Sequence, residues 1–270
     1  MKEELLIADS GSTKTDWLFS GERISTQGIN PFHQSEDTIL AILREELLPQ
    51  LDVRKTVGAV QFYGSGVRPE LEPVMEGLLR QCFPDASSIE AHSDLLGAAR
   101  ALCDHSEGIA CILGTGANSC LYDGTHIVKN TPPMGYILGD EGSGAVLGIR
   151  FLNALYKGIL PQTMVADFEK DAGMTMPQVI DRVYRQPLAN RWLASLSPFI
   201  HSHLSDPAVE DIVIGNFRDF IRRNIIPYRR PDLPIQAVGS IAFFYSSQLA
   251  CACRDEGMEL GRIMRSPLDG

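Results

Sequence analysis

Residues 5–24 read LLIADSGSTKTDWLFSGERI, and residues 108–127 read GIACILGTGANSCLYDGTHI. Set against each other at an offset of 103 with no gap, Gly11, Ser12 and Thr13 fall on Gly114, Thr115 and Gly116. Leu18 and Phe19 likewise fall on Leu121 and Tyr122, Gly21 on Gly124, and Ile24 on Ile127. Each copy opens on an apolar run, turns through Gly and hydroxyl residues, and continues as a second strand. Ser20-Gly21 and Asp123-Gly124 then supply hairpin turns into a third strand. Recurrence at a fixed spacing is the mark of a repeated structural unit, and the unit here is a β-meander with a Gly/Ser/Thr-rich first turn.

Working outward, apolar residues at helical spacing (Ile39, Leu40, Leu43, Leu47) predict a helix over 36–48. A strand over 56–63, a helix over 69–82, a strand over 88–91 and a helix over 94–103 follow. After the second meander a helix is expected from about 140 to 156, with further helical segments through Tyr228, including 179–185 and 211–223. The chain then returns to a strand at 235–238, a helix at 240–256 and a last strand at 260–264. Two meanders, each extended by helices and strands, predict a duplicated α/β protein of two lobes with a central cleft. The lobes are expected at 1–106 and 107–270, the second carrying a helical insertion at about 158–230.

Composition narrows the function classes. The 270 residues carry 24 basic and 34 acidic side chains, a net charge of −10, and are 44% hydrophobic, which is enough to bury a core and excludes disorder as the main state. An acidic chain without a basic cluster is expected to bind neither nucleic acid nor an anionic membrane. The densest basic stretch, Arg222, Arg223, Arg229 and Arg230, reads as a solvated helix face. Met1-Lys2-Glu3-Glu4 leads straight into an apolar strand, with no basic region and long apolar run of a secretory signal, so a cytoplasmic location is expected. Residues 233–253 carry no charge over 21 positions, but Pro234, Gln236, Gly239 and several serines favour a buried strand, a glycine turn and a helix over a membrane span. The six cysteines form no CxxC pair and read as reduced core thiols.

The glycine turns lack the spacing of the common nucleotide motifs. Gly11 to Thr15 has no GxxxxGK[ST] pattern and leads into a strand, while the GxG at Gly114 has no third glycine, so neither a P-loop nor a dinucleotide fold is expected. What remains is a hairpin turn whose backbone N–H groups and hydroxyls can cradle phosphate. The candidates are Gly11, Ser12, Thr13 and Lys14 in the first turn and Gly114, Thr115 and Gly116 in the second, with ordinary glycine hairpins as the alternative. Asp9 ends the first strand beside its turn. A carboxylate there would repel phosphate unless a divalent cation such as Mg²⁺ stood between them; otherwise it stabilises the turn. Asp94 follows a strand and starts a helix, which suits a general base or an ordinary cap shared with Ser93. Asp140 and Glu141 precede the next helix, where they could serve its positive end or a ligand.

The stretches Asp9–Asp16, Asp94–Ala99, Leu113–Gly116, Gly139–Ser143 and Val238–Ala242 occur in the order seen in the BadF/BadG/BcrA/BcrD-type ATPase family. The chain most resembles the N-acetylglucosamine kinase-like branch of the actin, sugar kinase and Hsp70 superfamily, over nearly its whole length. The resemblance implies two RNase H-like lobes of the actin-like ATPase fold, ATP with Mg²⁺, and a sugar, hence an ATP-dependent hexosamine kinase acting on N-acetylglucosamine or glucosamine. It implies Asp94 as the base, Gly239 and Ser240 beside the adenosine, and Asn30, Gly135, Asp140 and Glu141 at the sugar. A homodimer is compatible with it. Where this branch usually carries Gly-Gly-Trp-Gly, the chain has Pro132, Pro133, Met134 and Gly135, so weak selection for the acetyl group is expected. The chain also ends at 266–270, where relatives continue into a segment packing back on the first lobe, and looser closure is expected. Two rivals remain: a dehydratase-activating ATPase, which would need interface cysteines for an iron–sulfur cluster, and a non-catalytic sugar or nucleotide sensor, which would need no base.

Overall fold

In the computed structural model, all residues except Met1, Lys2, Ser12 and Val53 are described. The repeated meanders are strands β1 (Glu3–Ser10), β2 (Lys14–Phe19) and β3 (Glu22–Gln27), and β6 (Glu107–Leu113), β7 (Ala117–Asp123) and β8 (Ile127–Asn130). The intervening elements are α1 (Glu36–Ala41), β4 (Thr56–Gly64), α2 (Glu72–Cys82), β5 (Ser88–Ser93) and α3 (Asp94–Cys103). In the first sheet the order is β3-β2-β1-β4-β5, with β2 antiparallel and β4 parallel to β1. Downstream of β8 come α4 (Gly135–Leu138), α5 (Gly144–Tyr156), α6 (Gln162–Ala172), α7 (Met176–Tyr184), α8 (Ala189–Ser195), α9 (Ser197–Ser202) and α10 (Pro207–Phe220). Then follow β9 (Ile235–Val238), α11 (Ser240–Phe244), α12 (Ser246–Asp255) and β10 (Leu260–Met264). The second sheet, β8-β7-β6-β9-β10, repeats the first in order and direction, with β7 antiparallel and β9 parallel to β6. The duplication thus extends past the matched residues to the whole topology.

The chain packs as two units, residues 1–101 with 267–270 and residues 102–266. The division falls within the last turn of α3, five residues before the 106/107 boundary read from sequence. The last four residues return to the first unit, where the 3₁₀ turn Pro267–Asp269 packs on β1 and Arg23 pairs with Asp269. Each unit has its own core. In the first, the β2 alternation buries Thr15, Trp17 and Phe19, and Trp17 meets Phe62 of β4 at a ring separation of 5.9 Å. In the second, Phe151, Phe168 and Phe199 make edge-to-face contacts 5.4–5.8 Å apart beneath the helices.

Three helices differ from expectation. The helix from Glu36 widens through a π segment, Ile42–Leu47, and then tightens into a 3₁₀ turn at Leu48–Gln50, where Pro49 cannot donate a backbone hydrogen bond. The helix expected from 140 starts only at Gly144, capped by Ser143, whose Oγ accepts from Val146 N at 3.1 Å. The uncharged stretch 233–253 resolves into β9, a glycine turn and two helices broken at buried Tyr245, whose hydroxyl donates to Ser197 O at 2.6 Å. Among the described residues no helix is long and apolar enough to cross a membrane.

Candidate active site

In the first unit, β1 sits centrally in its sheet and carries Asp9 opposite Asp16 of β2 and Tyr63 of β4. The following turn is closed by Gly11 N donating to Lys14 O at 3.0 Å. Lys14 pairs with Asp16 at 2.6 Å. The Ser10 hydroxyl donates to Ile29 O at 2.9 Å and accepts from Ile29 N at 3.1 Å, tying the turn to the segment that presents Asn30. The Asn30 carboxamide oxygen accepts from Phe32 N at 3.0 Å and lies against Gly66, whose φ of +83° and missing Cβ make room for it. Thr13 accepts through its backbone carbonyl from Gly28 N at 3.2 Å. Ser12 lies outside the described residues.

Asp9 keeps part of its surface open, yet burial, then the charges of Asp94 and Asp16, push its pKa up to about 7. Clustered carboxylates that resist ionising together suit a divalent cation. No group of three or more metal-ligating side chains occurs among the described residues, but Mg²⁺ in phosphoryl transfer takes only one or two carboxylates, the rest being phosphate oxygens and water. The donor set therefore fits Mg²⁺. Asp94 opens α3, and burial raises its pKa to about 6 against a hydrogen bond from Leu95 N–H. The helix cap is Ser93, whose Oγ accepts from Leu96 N at 3.3 Å. Gly97 lets α3 lie close to β4, since a Cβ there would come within 2.7 Å of the Tyr63 ring.

In the second unit the turn after β6 is closed by Gly114 N donating to Gly116 O at 3.0 Å. The first turn of α5 donates into it, Gly144 N to Gly114 O at 2.8 Å and Ala145 N to Thr115 O at 3.2 Å. Those two helix-end donors are thereby satisfied by the turn. Asp140, at a φ of +54°, receives N–H bonds on its carboxylate from Ala117 and Gly135; burial raises its pKa to about 6. A Cβ at Gly116 would sit 3.1 Å from its Oδ2. Asp140 thus joins the glycine turn to the Gly135 segment. Gly239, at a φ of +113°, packs against the Leu113 carbonyl and donates to Met264 O at 3.1 Å, with exposed Ser240 beginning α11.

Glu141 is turned elsewhere. It is 9% exposed, Arg223 Nη1 donates to its Oε1 at 2.9 Å, and Asn224 Nδ2 donates to its Oε2 at 3.4 Å. In the basic stretch Arg222, Arg223 and Arg229 are exposed, as expected of a solvated face, and three of its arginines also form ion pairs, Arg223 on Glu141, Arg222 on Glu256 and Arg230 on Glu107 and Asp232. Asn216 and Asn224 were not singled out from sequence, and Arg223 only as part of the basic stretch; the signal was a polar residue, Asn216, inside an apolar helix pattern. Gly148 lets α5 press on the Leu193 carbonyl of α8. Four of the six cysteines (103, 111, 120 and 253) are buried, and burial raises their thiol pKa values, to about 11 for Cys103 and about 12 for Cys120 and Cys253. Such core thiols do not suit an interface iron–sulfur cluster, which needs thiolates.

No family model matches the chain, and no curated protein matches it. Solved structures do. A protein from Porphyromonas gingivalis, provisionally designated an N-acetylglucosamine kinase, is 47% identical over 98% of this chain and 96% of its own, with a TM-score of 0.94. A provisionally designated N-acetylglucosamine kinase from Chromobacterium violaceum is 20% identical over 99% and 96%, with a TM-score of 0.73. A glucokinase of the ROK family from Streptomyces griseus, in complex with glucose and AMPPNP, is 14% identical over 98% and 95%, with a TM-score of 0.58. The last two share the fold. Given the first, together with the duplicated sheets and the ordered motifs, the chain belongs to the N-acetylglucosamine kinase-like branch of the BadF/BadG/BcrA/BcrD-type ATPase family, with the actin-like ATPase fold.

Proposed function

We propose that the protein is an ATP-dependent kinase that phosphorylates a hydroxyl of an amino sugar, N-acetylglucosamine or glucosamine. The observation that carries this reading is Asp94: half-buried at the start of α3, where Ser93 caps Leu96, and close enough to Asp9 at the glycine turn for its charge to act there. Asp94 accepts the proton of the sugar hydroxyl as its oxygen bonds to the γ-phosphorus and the bond to the ADP oxygen breaks. Asp9 would hold Mg²⁺, which spreads the charge of the transferring group when bound. The turns at Gly11–Lys14 and Gly114–Gly116 are the candidates for the phosphates, through the N–H groups and hydroxyls not spent in closing them. Gly239 and Ser240 border the adenosine. Asn30, Gly135 and Asp140 are the candidates for the sugar, with Glu141 in the same motif.

A cytoplasmic location and a homodimer complete the reading. The dimer is supported by the exposed apolar side chains Ile137, Leu138, Ile180 and Tyr184 on the second unit. Sedimentation giving only monomer at micromolar concentration would remove the dimer from the proposal.

ATP consumption should be screened against hexoses, hexosamines and N-acetylhexosamines. Sugar-dependent ADP release with at least one hexosamine is expected. Failure of every hexosamine with intact ATP binding would overturn the acceptor and leave the nucleotide site standing.

A further inference from the structure

The stretch from Thr131 to Ser143 carries the second unit's acceptor-side candidates, and both of its ends are fastened to one irregular piece of helix. After α10 the chain continues as a single π-helical turn, Ile221–Ile225, and a 3₁₀ turn, Ile226–Tyr228. At the near end of the stretch, Thr131 Oγ1 donates to Asn224 O at 2.9 Å. Its backbone N–H donates to the Tyr228 hydroxyl at 3.1 Å, and that hydroxyl is also bonded to Ser119 of β7 at 2.8 Å. At the far end, Arg223 and Asn224 bond the two oxygens of Glu141. Earlier on the same helix, fully buried Asn216 accepts from Gly142 N and donates to Ser143 O, both at 3.2 Å. Phe220 fills the space under Gly142, where a Cβ would approach its Cβ to 2.9 Å.

We propose that this π-helical segment positions the acceptor site, and that Glu141 acts through Arg223 and Asn224 without touching the sugar. The inference rests on the kinase reading given above. Three observations carry it. Glu141 and Arg223 border an open groove, but both Glu141 carboxylate oxygens are engaged, so a sugar hydroxyl could bond them only by displacing a charge-assisted bond. Next to it, Asp140 holds a left-handed backbone conformation that a non-glycine residue keeps only where its surroundings impose it, and the clamped neighbours Glu141, Gly142 and Ser143 impose it. Finally, a π turn departs from regular helical register and tends to occur at functional sites; here the consecutive residues Arg223 and Asn224 both address Glu141 while the Asn224 carbonyl holds Thr131. Glu141 is thus a positioning residue, and Asp140 is the group it delivers.

The test is a double-mutant cycle on the full-length enzyme: Glu141→Gln, Arg223→Gln and the two combined, with KM for sugar and for ATP measured separately. Each single change should raise sugar KM about tenfold, the scale of one lost charge-assisted hydrogen bond. ATP KM should stay within about twofold, and the double variant should match the worse single one because both break the same link. If Glu141 binds the sugar directly, Glu141→Gln should exceed Arg223→Gln and the two effects should multiply, which would overturn the proposal. Amide hydrogen exchange over 139–143, measured without sugar, gives a second readout. Faster exchange in either single variant supports the clamp, and unchanged protection in both overturns it. If the unmodified protein phosphorylates no hexosamine, the kinase reading fails while the exchange measurement still decides the clamp.

Discussion

Ser93 caps the third residue of α3 through Leu96 N, while the Asp94 carboxylate accepts from Leu95 N–H, so its role as a base is a proposal that substitution decides. Replacing Asp94 with Asn should keep the cap and the fold while lowering turnover about 10²–10⁴-fold, as for a lost general base. Near-normal turnover with an unchanged circular dichroism spectrum would return Asp94 to a structural role. Since the base must be ionised and burial raises its pKa to about 6, kcat/KM should rise with pH through that value. A flat profile between pH 5 and 7 would contradict the assignment. Asp9→Asn should raise the Mg²⁺ concentration needed for half-maximal turnover, and an unchanged Mg²⁺ titration would exclude Asp9 as the ligand. The residue types were readable in the sequence for both carboxylates. Choosing between cap and base was not, because Ser93 and Asp94 have equal claim to a cap, and in the structure both side chains accept N–H groups of the first turn.

At the scale of elements, the strands lie where alternation and the 103-residue offset placed them, while helix boundaries moved. The helix expected from 140 loses its first four residues, because the backbone there turns through positive φ at Asp140 and Gly142 before Ser143 caps α5. Periodicity records which side chains are apolar and is blind to the sign of φ. Gly142→Ala is therefore a demanding change: at a φ of +84° and against Phe220, it should cost about 2 kcal/mol or more. At this chain length that lowers Tm by roughly 4 °C or more, and a melting curve indistinguishable from the parent would show that the turn relaxes freely. The neighbouring Pro133–Met134 stretch bears on selectivity. Pro133 supplies a carbonyl to Asp140 N at 2.8 Å but has no N–H of its own, and Met134 is 60% exposed. Discrimination between N-acetylglucosamine and glucosamine should accordingly be weak. A preference above about 100-fold in kcat/KM for the acetylated sugar, roughly 2.7 kcal/mol, would show that another group recognises the acetyl.

Over the whole molecule, three carboxylates in two separate units have folded pKa values above the ordinary 3.8: Asp9 at about 7, and Asp94 and Asp140 at about 6. Between about pH 4 and 7 the ligand-free protein holds protons at these groups that the unfolded chain releases. Their contribution to stability is present below pH 4 and is lost as pH rises through 6 and 7. In the presence of a chelator, Tm should therefore fall from pH 5 to pH 8, and Asp9→Asn should lessen the fall. An equal slope in parent and variant would mean that Asp9 titrates as an ordinary carboxylate. The same three groups mark the division between what sequence and structure decide here. The amino-acid sequence alone determined the duplicated α/β architecture, the strand positions, the two glycine turns and the carboxylates beside them, because alternation, turn chemistry and repetition are local properties of neighbouring residues. Only the tertiary structure decided that Asp140 joins the Gly116 turn to Gly135, that Glu141 faces Arg223 and Asn224, and that the last four residues return to the first unit. Those pairings span up to hundreds of positions and depend on a π turn and on left-handed residues, which leave no periodic trace in the chain.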